Sequence, residues 1–275
     1  MSPSTRITSR QNPRVKEAAR LRIGRERQRQ GRFIVEGVRE IERALAAGVR
    51  PIELFVCNEL CDSPRAQEAT QAALAAGAEM LSVTPSVYAK LAFGDRDDGV
   101  ILVAETPNRR LRDLQLRTAP LVAVLEGIEK PGNLGAILRS ADAAGVDAVV
   151  AVDLHTDLYN PNTIRASLGA VFRPNVCAAA TAETIRWINE QGLLIVAARP
   201  DAVALYTETD LSGGVAIVLG SEAAGLSDAW RGENVKEVRL PMHGMADSLN
   251  VSTTAAVLFY EALRQRSKQN LATDA

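Results

Sequence analysis

Three short polar clusters hold the residues that could do chemistry. The first runs Glu126-Gly127-Ile128-Glu129-Lys130-Pro131-Gly132-Asn133-Leu134-Gly135-Ala136-Ile137-Leu138-Arg139. The second is Gly220-Ser221-Glu222-Ala223-Ala224-Gly225-Leu226-Ser227, a lone carboxylate flanked by glycines and small residues. The third opens with Leu240-Pro241-Met242 and closes with Ser248-Leu249-Asn250-Val251-Ser252. Their polar side chains include Asn133, Asn250, Arg139 and the carboxylates of Glu126, Glu129 and Glu222. The guanidinium stays protonated near neutrality, so Arg139 suits charge stabilisation better than proton removal. Each cluster also has a plain structural reading. Asn133 is placed as a helix N-cap, and Ser248, Asn250 and Ser252 are cap candidates for a last helix. Taken singly, the clusters leave capping and catalysis both open.

Other chemistries are excluded more firmly. His155 and His243 are the only histidines, which nearly empties the set of His-ligated metal sites and Ser-His-Asp triads. Cys57, Cys61 and Cys177 are too few for a disulfide framework and point to a reducing compartment, and no second Cys or His pair follows Cys57 and Cys61. No metal is expected. Neither the dinucleotide fingerprint Gly-x-Gly-x-x-Gly after a strand nor a P-loop occurs. The longest apolar runs fall well short of a membrane span, and the amino terminus lacks the apolar stretch of a secretory signal. A cytoplasmic protein without a membrane partner follows.

The elements that must position the clusters read as alternating strands and helices, so the fold class is α/β. Strand-like runs at Phe33–Val35, Pro51–Val56, Glu79–Val83 and Val100–Glu105 alternate with helical stretches, giving a small amino-terminal domain over residues 33–106. Residues 107–118, with Pro107 and four arginines, read as a linker. Residues 119–275 repeat the rhythm with drier strands at Leu121–Leu125, Ala148–Val152, Leu193–Ala198, Val215–Leu219 and Val235–Leu240. Runs apolar on both faces belong inside a parallel sheet covered by helices, and there function gathers at the carboxyl ends of the strands. The first two polar clusters follow such strands, and the third follows Val235–Leu240, which carries Lys236, Glu237 and Arg239.

Ahead of both domains, residues 1–32 carry ten Lys/Arg against only Glu17 and Glu26, while the other 243 residues hold 22 basic and 31 acidic side chains. The overall charge of −1 hides this asymmetry. A basic helical arm on an acidic body points to a polyanion.

Together the clusters resemble the three motifs of the SpoU (TrmH-type) RNA ribose 2′-O-methyltransferases of the SPOUT superfamily. The resemblance rests on Asn133-x-Gly135-x3-Arg139, then Leu219-Gly220-Ser221-Glu222-x2-Gly225-Leu226, then Leu240-Pro241-Met242 with Ser248-Leu249-Asn250-Val251-Ser252, spanning about Pro120–Gln265. Arg165-Ala166-Ser167-x-Gly169-Ala170 is similar to the family's intervening segment. Phe33-Ile34-Val35-Glu36-Gly37-x-Arg39 resembles the ribosomal-protein-L30e-like substrate-binding domain often fused to such enzymes. The resemblance implies a parallel sheet with a deep trefoil knot, S-adenosylmethionine as cofactor and a homodimer. It implies a cofactor site of Leu219, Gly220, Leu240, Met242, Ser248, Leu249 and Asn250, with Arg139, Asn133, Glu222 and Asn250 catalytic. Arg22, Arg25, Arg32, Arg39, Arg139 and Arg165 are the expected RNA contacts. Ribosomal RNA, most of all 23S rRNA, is the leading substrate; tRNA, or an inactive RNA-binding protein of the same fold, are the alternatives.

Overall fold

A computed structural model describes residues 6–94 and 98–273. The chain divides into two compact units. One contains the residues up to Asn108 together with Tyr159–Phe172, and the other contains Arg109–Leu158 and Arg173 onward.

In the first unit, α1 (Pro13–Arg20), α2 (Gly24–Gln30), β1 (Arg32–Glu36), α3 (Val38–Ala46), β2 (Pro51–Val56), α4 (Pro64–Ala75), β3 (Glu79–Ser82), α5 (Pro85–Leu91) and β4 (Val100–Glu105) follow one another. The strands form one mixed sheet in the order β1-β4-β2-β3. β4 runs antiparallel to both neighbours, and β2 and β3 are parallel. Alternate residues of β1 serve opposite faces. Ile34 joins Val15, Ala18 and Leu21 of the first helical segment and Tyr88 of α5 in one buried cluster. Phe33 instead meets Tyr159 and Phe172, with ring centroids 4.8 and 5.7 Å away.

Two expectations need adjusting here. Residues 6–32 do not form a separable arm, because Val15, Ala18 and Leu21 are core side chains of this unit, and residues 1–5 of the expected arm lie outside the described residues. Asn12 caps α1 by accepting from the Arg14 amide at 2.9 Å, and Pro13 supplies the first helical residue. Secondly, Tyr159–Phe172, expected within the carboxy-terminal domain, groups with this unit. Its helix α7 spans Pro161–Ala166. Leu168 (φ +52°) and Gly169 (φ +85°) turn the chain out of helical geometry.

The second unit comprises β5 (Leu121–Glu126), α6 (Pro131–Ala143), β6 (Ala148–Val152), β7 (Val176–Ala179), α8 (Thr181–Glu190), β8 (Leu194–Ala198), β9 (Ala204–Leu205), β10 (Val215–Leu219), β11 (Val235–Arg239) and α9 (Val251–Thr273). Its seven-stranded sheet has the order β7-β6-β5-β10-β8-β11-β9, with every pairing parallel. β5, β6 and β10 are buried along their whole length, which their lack of alternation required. β7 and β9 were not foreseen. They are edge strands of four and two residues, too short for periodicity to show. α9 continues to Thr273, beyond the expected end near Arg266.

Candidate active site

The chain runs outward from β5 through β6 to β7, crosses to β8, and then returns with β10 between β5 and β8. The carboxyl ends of β8, β10 and β11 therefore lie side by side. Ala197 is in register with Val218, and Ala198 with Val238. Past these ends lies a cavity of about 310 Å³, a volume suited to a small organic ligand. Leu219, Gly220, Leu240, Met242, Ser248 and Leu249 all line it. Arg199, which follows β8 and was not foreseen, lines it too.

The wall after β10 is a tight loop. The Gly225 amide donates to the Ser221 carbonyl at 3.0 Å, and the Ala224 amide donates to Ser221 Oγ at 3.1 Å. A Cβ at Gly220 would stand 2.3 Å from the Gly225 carbonyl carbon, so only glycine allows the loop to fold back this closely. The loop presents backbone rather than bulk to the cavity, and Leu219, Val238, Leu240 and Val251 give an apolar lining. A purine nucleoside carrying a short charged chain suits such a cradle: apolar walls take the ring, and backbone groups meet its polar edge.

Asn133 does not cap α6, contrary to the expectation from sequence. Lys130 is the N-cap and Pro131 begins the helix. Asn133 sits in the first turn, so its carboxamide is free for other partners. Its Nδ2 donates to Glu222 Oε1, and its Oδ1 accepts from Asn250 Nδ2 at 3.3 Å. Asn250 Oδ1 accepts from the Ser252 amide at 2.9 Å and from Ser252 Oγ at 2.6 Å. Asn250 thus caps α9 and joins the site at once. The row Glu222–Asn133–Asn250 ties together all three polar clusters, although they are 89 and 117 residues apart in sequence. Asn250 is beside the cavity rather than among its lining residues.

Arg139 is exposed on α6 and enters none of these bonds. Six residues of helix place it roughly 120° around the axis and about 9 Å along it from Asn133. The row and the arginine therefore occupy different faces of one helix.

The expected RNA contacts divide into occupied and free side chains. Arg22 Nη2 donates to the carbonyls of Lys90, Leu91 and Ala92 at 2.6–2.7 Å, and the guanidinium lies 5.7 Å from the Phe93 ring centre. It closes the end of α5, and burial lowers its pKa against the pull of Glu36. Arg14 is likewise taken by Glu53 and Glu79, and in the linker Arg117 is held by Asp147. Arg165 lies in the first unit, where a Cβ on Gly94 would stand 2.9 Å from its Nη1. Arg25 and Arg39 are exposed and Arg32 half-buried, and none of the three enters these bonds. No group of His, Cys, Asp and Glu among the described residues could hold a metal ion. Among those residues no helix is long and apolar enough to cross a membrane.

Comparison with known proteins divides the chain between residues 102 and 120 and leaves Tyr159–Phe172 inside the carboxy-terminal match. Residues 120–260 match the SpoU rRNA methylase family, and residues 12–102 match an MRM3-like substrate binding domain. The chain is similar to the 23S rRNA (uridine(2479)-2′-O)-methyltransferase of Streptomyces viridochromogenes, with 31% identity over 98% of this chain and 95% of that one. A crystal structure of an RNA 2′-O ribose methyltransferase is 47% identical, with a TM-score of 0.81, covering 95% of this chain and 99% of the other. An AdoMet-bound rRNA methyltransferase from Sinorhizobium meliloti is 30% identical, with a TM-score of 0.85, covering 94% and 97%.

Proposed function

Because the chain belongs to the SpoU rRNA methylase family, we propose that it transfers a methyl group from S-adenosylmethionine to a ribose 2′-hydroxyl of 23S rRNA. The observation that carries this reading is the row Glu222–Asn133–Asn250, set beside a glycine-walled cavity at the ends of three parallel strands. Relatives of similar length act on ribosomal RNA, which favours it over tRNA. The same reading places the protein in the cytoplasm with its substrate, and takes the path from β10 through α9 as the knotted segment.

The cofactor supplies a methyl group already activated on a sulfonium, so the protein's task is to place the ribose oxygen and manage its charge. Leu219, Leu240, Met242 and Leu249 hold the adenosine, and the backbone around Gly220 meets its edge. Glu222, Asn133 and Asn250 keep the loop after β10, α6 and α9 in mutual register at the reaction side of that cradle. Arg139 orients the ribose-phosphate and stabilises the negative charge that develops on O2′, while the proton leaves to a phosphate oxygen or water. Since Arg139 and Asn133 face different ways on α6, a second subunit completes the RNA site. Tyr260 and Leu263, exposed three residues apart on α9, are the side chains that would pack in such a homodimer.

The RNA surface is made by exposed cations of the first unit, chiefly Lys16, Arg20, Arg25 and Arg39. Arg32 and Arg165 flank them in the same reading. The direct test of the cofactor site is calorimetry with S-adenosylmethionine on the protein and on Gly220→Val. The added side chain must displace the Gly225 backbone, so the variant should lose cofactor binding; unchanged affinity would place the cofactor elsewhere.

A further inference from the structure

The loop 220–227 is anchored by the buried Ser221 and Leu226 but open between them. Glu222, Ala223, Ala224 and Gly225 are exposed. Ser221, Ala224 and Gly225 border a second cavity, of about 460 Å³, as well as the first. A wall with open space on both sides keeps one shape only if something else fixes it. Two charged side chains do so, one from each strand that flanks β10. Glu126, the last residue of β5, accepts from the Ser227 amide at 2.8 Å, from Ser227 Oγ at 2.7 Å and from Trp230 Nε1 at 2.8 Å. Arg199, the first residue after β8, donates from Nη1 to the Leu226 carbonyl at 3.1 Å and from Nη2 to the Ser227 carbonyl at 2.7 Å. Its Nε lies 3.3 Å from Glu237 Oε1 of β11. Both side chains are only 7% exposed.

Burying a carboxylate and a guanidinium is costly unless their bonds are made, and here those bonds go mainly to one dipeptide. Ser227 is gripped by its amide and hydroxyl from one side and by its carbonyl from the other. That grip fixes where the loop re-enters the fold, as the Ser221 turn fixes where it leaves. Glu222 and the cofactor wall ride between the two anchors.

We propose that Glu126 and Arg199 are positioning residues for the cofactor: they set the loop 220–227 in its binding shape before the cofactor arrives. The proposal rests on the reading of the 310 Å³ cavity as the cofactor site. Glu126 does not line that cavity, so any effect of Glu126 on cofactor affinity must travel through the loop.

Glu126→Gln and Arg199→Lys each keep the size of the side chain while breaking the bonding pattern. The first sets an amide donor against the Ser227 donors, and the second removes the planar fork. Three quantities are read for each variant beside the wild type: S-adenosylmethionine affinity by calorimetry, hydrogen exchange of the loop amides, and the KM for RNA. Both variants should exchange the Ser227 amide faster and bind S-adenosylmethionine roughly ten- to a hundredfold more weakly, the scale of one or two missing charge-assisted hydrogen bonds. The KM for RNA should stay within about twofold. Faster exchange with unchanged cofactor affinity overturns the proposal, as does unchanged exchange in both variants. Should one variant not fold, the other decides by the same criteria. The Gly220→Val control separates the premise: if it binds cofactor normally, the cavity reading fails, whatever Glu126→Gln shows.

Discussion

Asn133 uses its amide nitrogen toward one of the other polar clusters and its amide oxygen toward the other. Replacing it with alanine should disconnect Glu222 from Asn250 and lower kcat by about a hundredfold, with a smaller change in cofactor affinity. Arg139→Lys keeps the charge but loses the fork. Methyl transfer should fall by about a hundredfold while cofactor affinity holds within twofold; near wild-type turnover would remove Arg139 from the chemistry. Two titrating groups give further checks. Desolvation, helped by Glu183 and Asp113, pushes the Cys177 thiol up to about 12. It stays protonated in the folded protein at about pH 8, so alkylating reagents should leave it unmodified until the protein unfolds. Burial also raises the pKa of Glu36, against amide bonds from Phe93 and Gly94 that lower it. A carboxyl harder to ionise folded than unfolded makes the fold lose stability as pH rises through the interval between its two pKa values. Denaturation of Glu36→Gln should therefore favour the variant, relative to wild type, more at about pH 7 than at about pH 4. A difference that does not change with pH would contradict the raised value.

Among the elements, the first helix shows most clearly what composition conceals. Its arginines suggested an exposed arm, yet the apolar stripe of Val15, Ala18 and Leu21 is buried in the first unit. Fully burying a Val or Leu is worth about 1.5–3 kcal/mol, so deleting residues 1–32 should unfold that unit rather than trim a tail. The separable RNA function belongs to single side chains: Lys16→Gln, Arg20→Gln and Arg25→Gln together should weaken RNA binding at unchanged melting temperature. The log-log salt slope should drop by up to about one for each phosphate that is no longer neutralised. An unchanged slope would mean that RNA binds elsewhere. The strands and their order of appearance were legible because β6, β10 and β5 up to Leu125 are runs of Val, Ile, Leu and Ala with no polar interruption. The three clusters were legible as strand-end loops for the same reason. Three things were not. The grouping of Tyr159–Phe172 with the first unit depends on the ring contacts of Phe33, which no local pattern encodes. The release of Asn133 from capping depends on Pro131 starting α6 three residues early. Arg199 and Glu126 look like ordinary strand-end polar residues in the sequence, since their common partner Ser227 lies 28 and 101 positions away.

At the scale of the whole molecule, the positive charge is local to the opening 32 residues: the 32 Lys/Arg divide evenly, 16 up to Asn108 and 16 after it, and residues 33–108 are themselves acidic, with six basic against twelve acidic side chains. Association of two chains should be visible directly. If α9 forms the contact, Leu263→Asp should convert a dimer to a monomer in sedimentation and abolish methyl transfer while leaving Asn133–Glu222 intact; a monomeric wild type with full activity would remove the need for a second subunit. The central claim is the identity of the reaction. It is tested most directly by incubating the protein with labelled S-adenosylmethionine and 23S rRNA from a strain lacking the gene, then digesting the RNA and mapping the label. The expected result is one 2′-O-methylated nucleoside at a single position, absent with Arg139→Ala. Label on a base, or none at all from a protein that binds the cofactor, would contradict it.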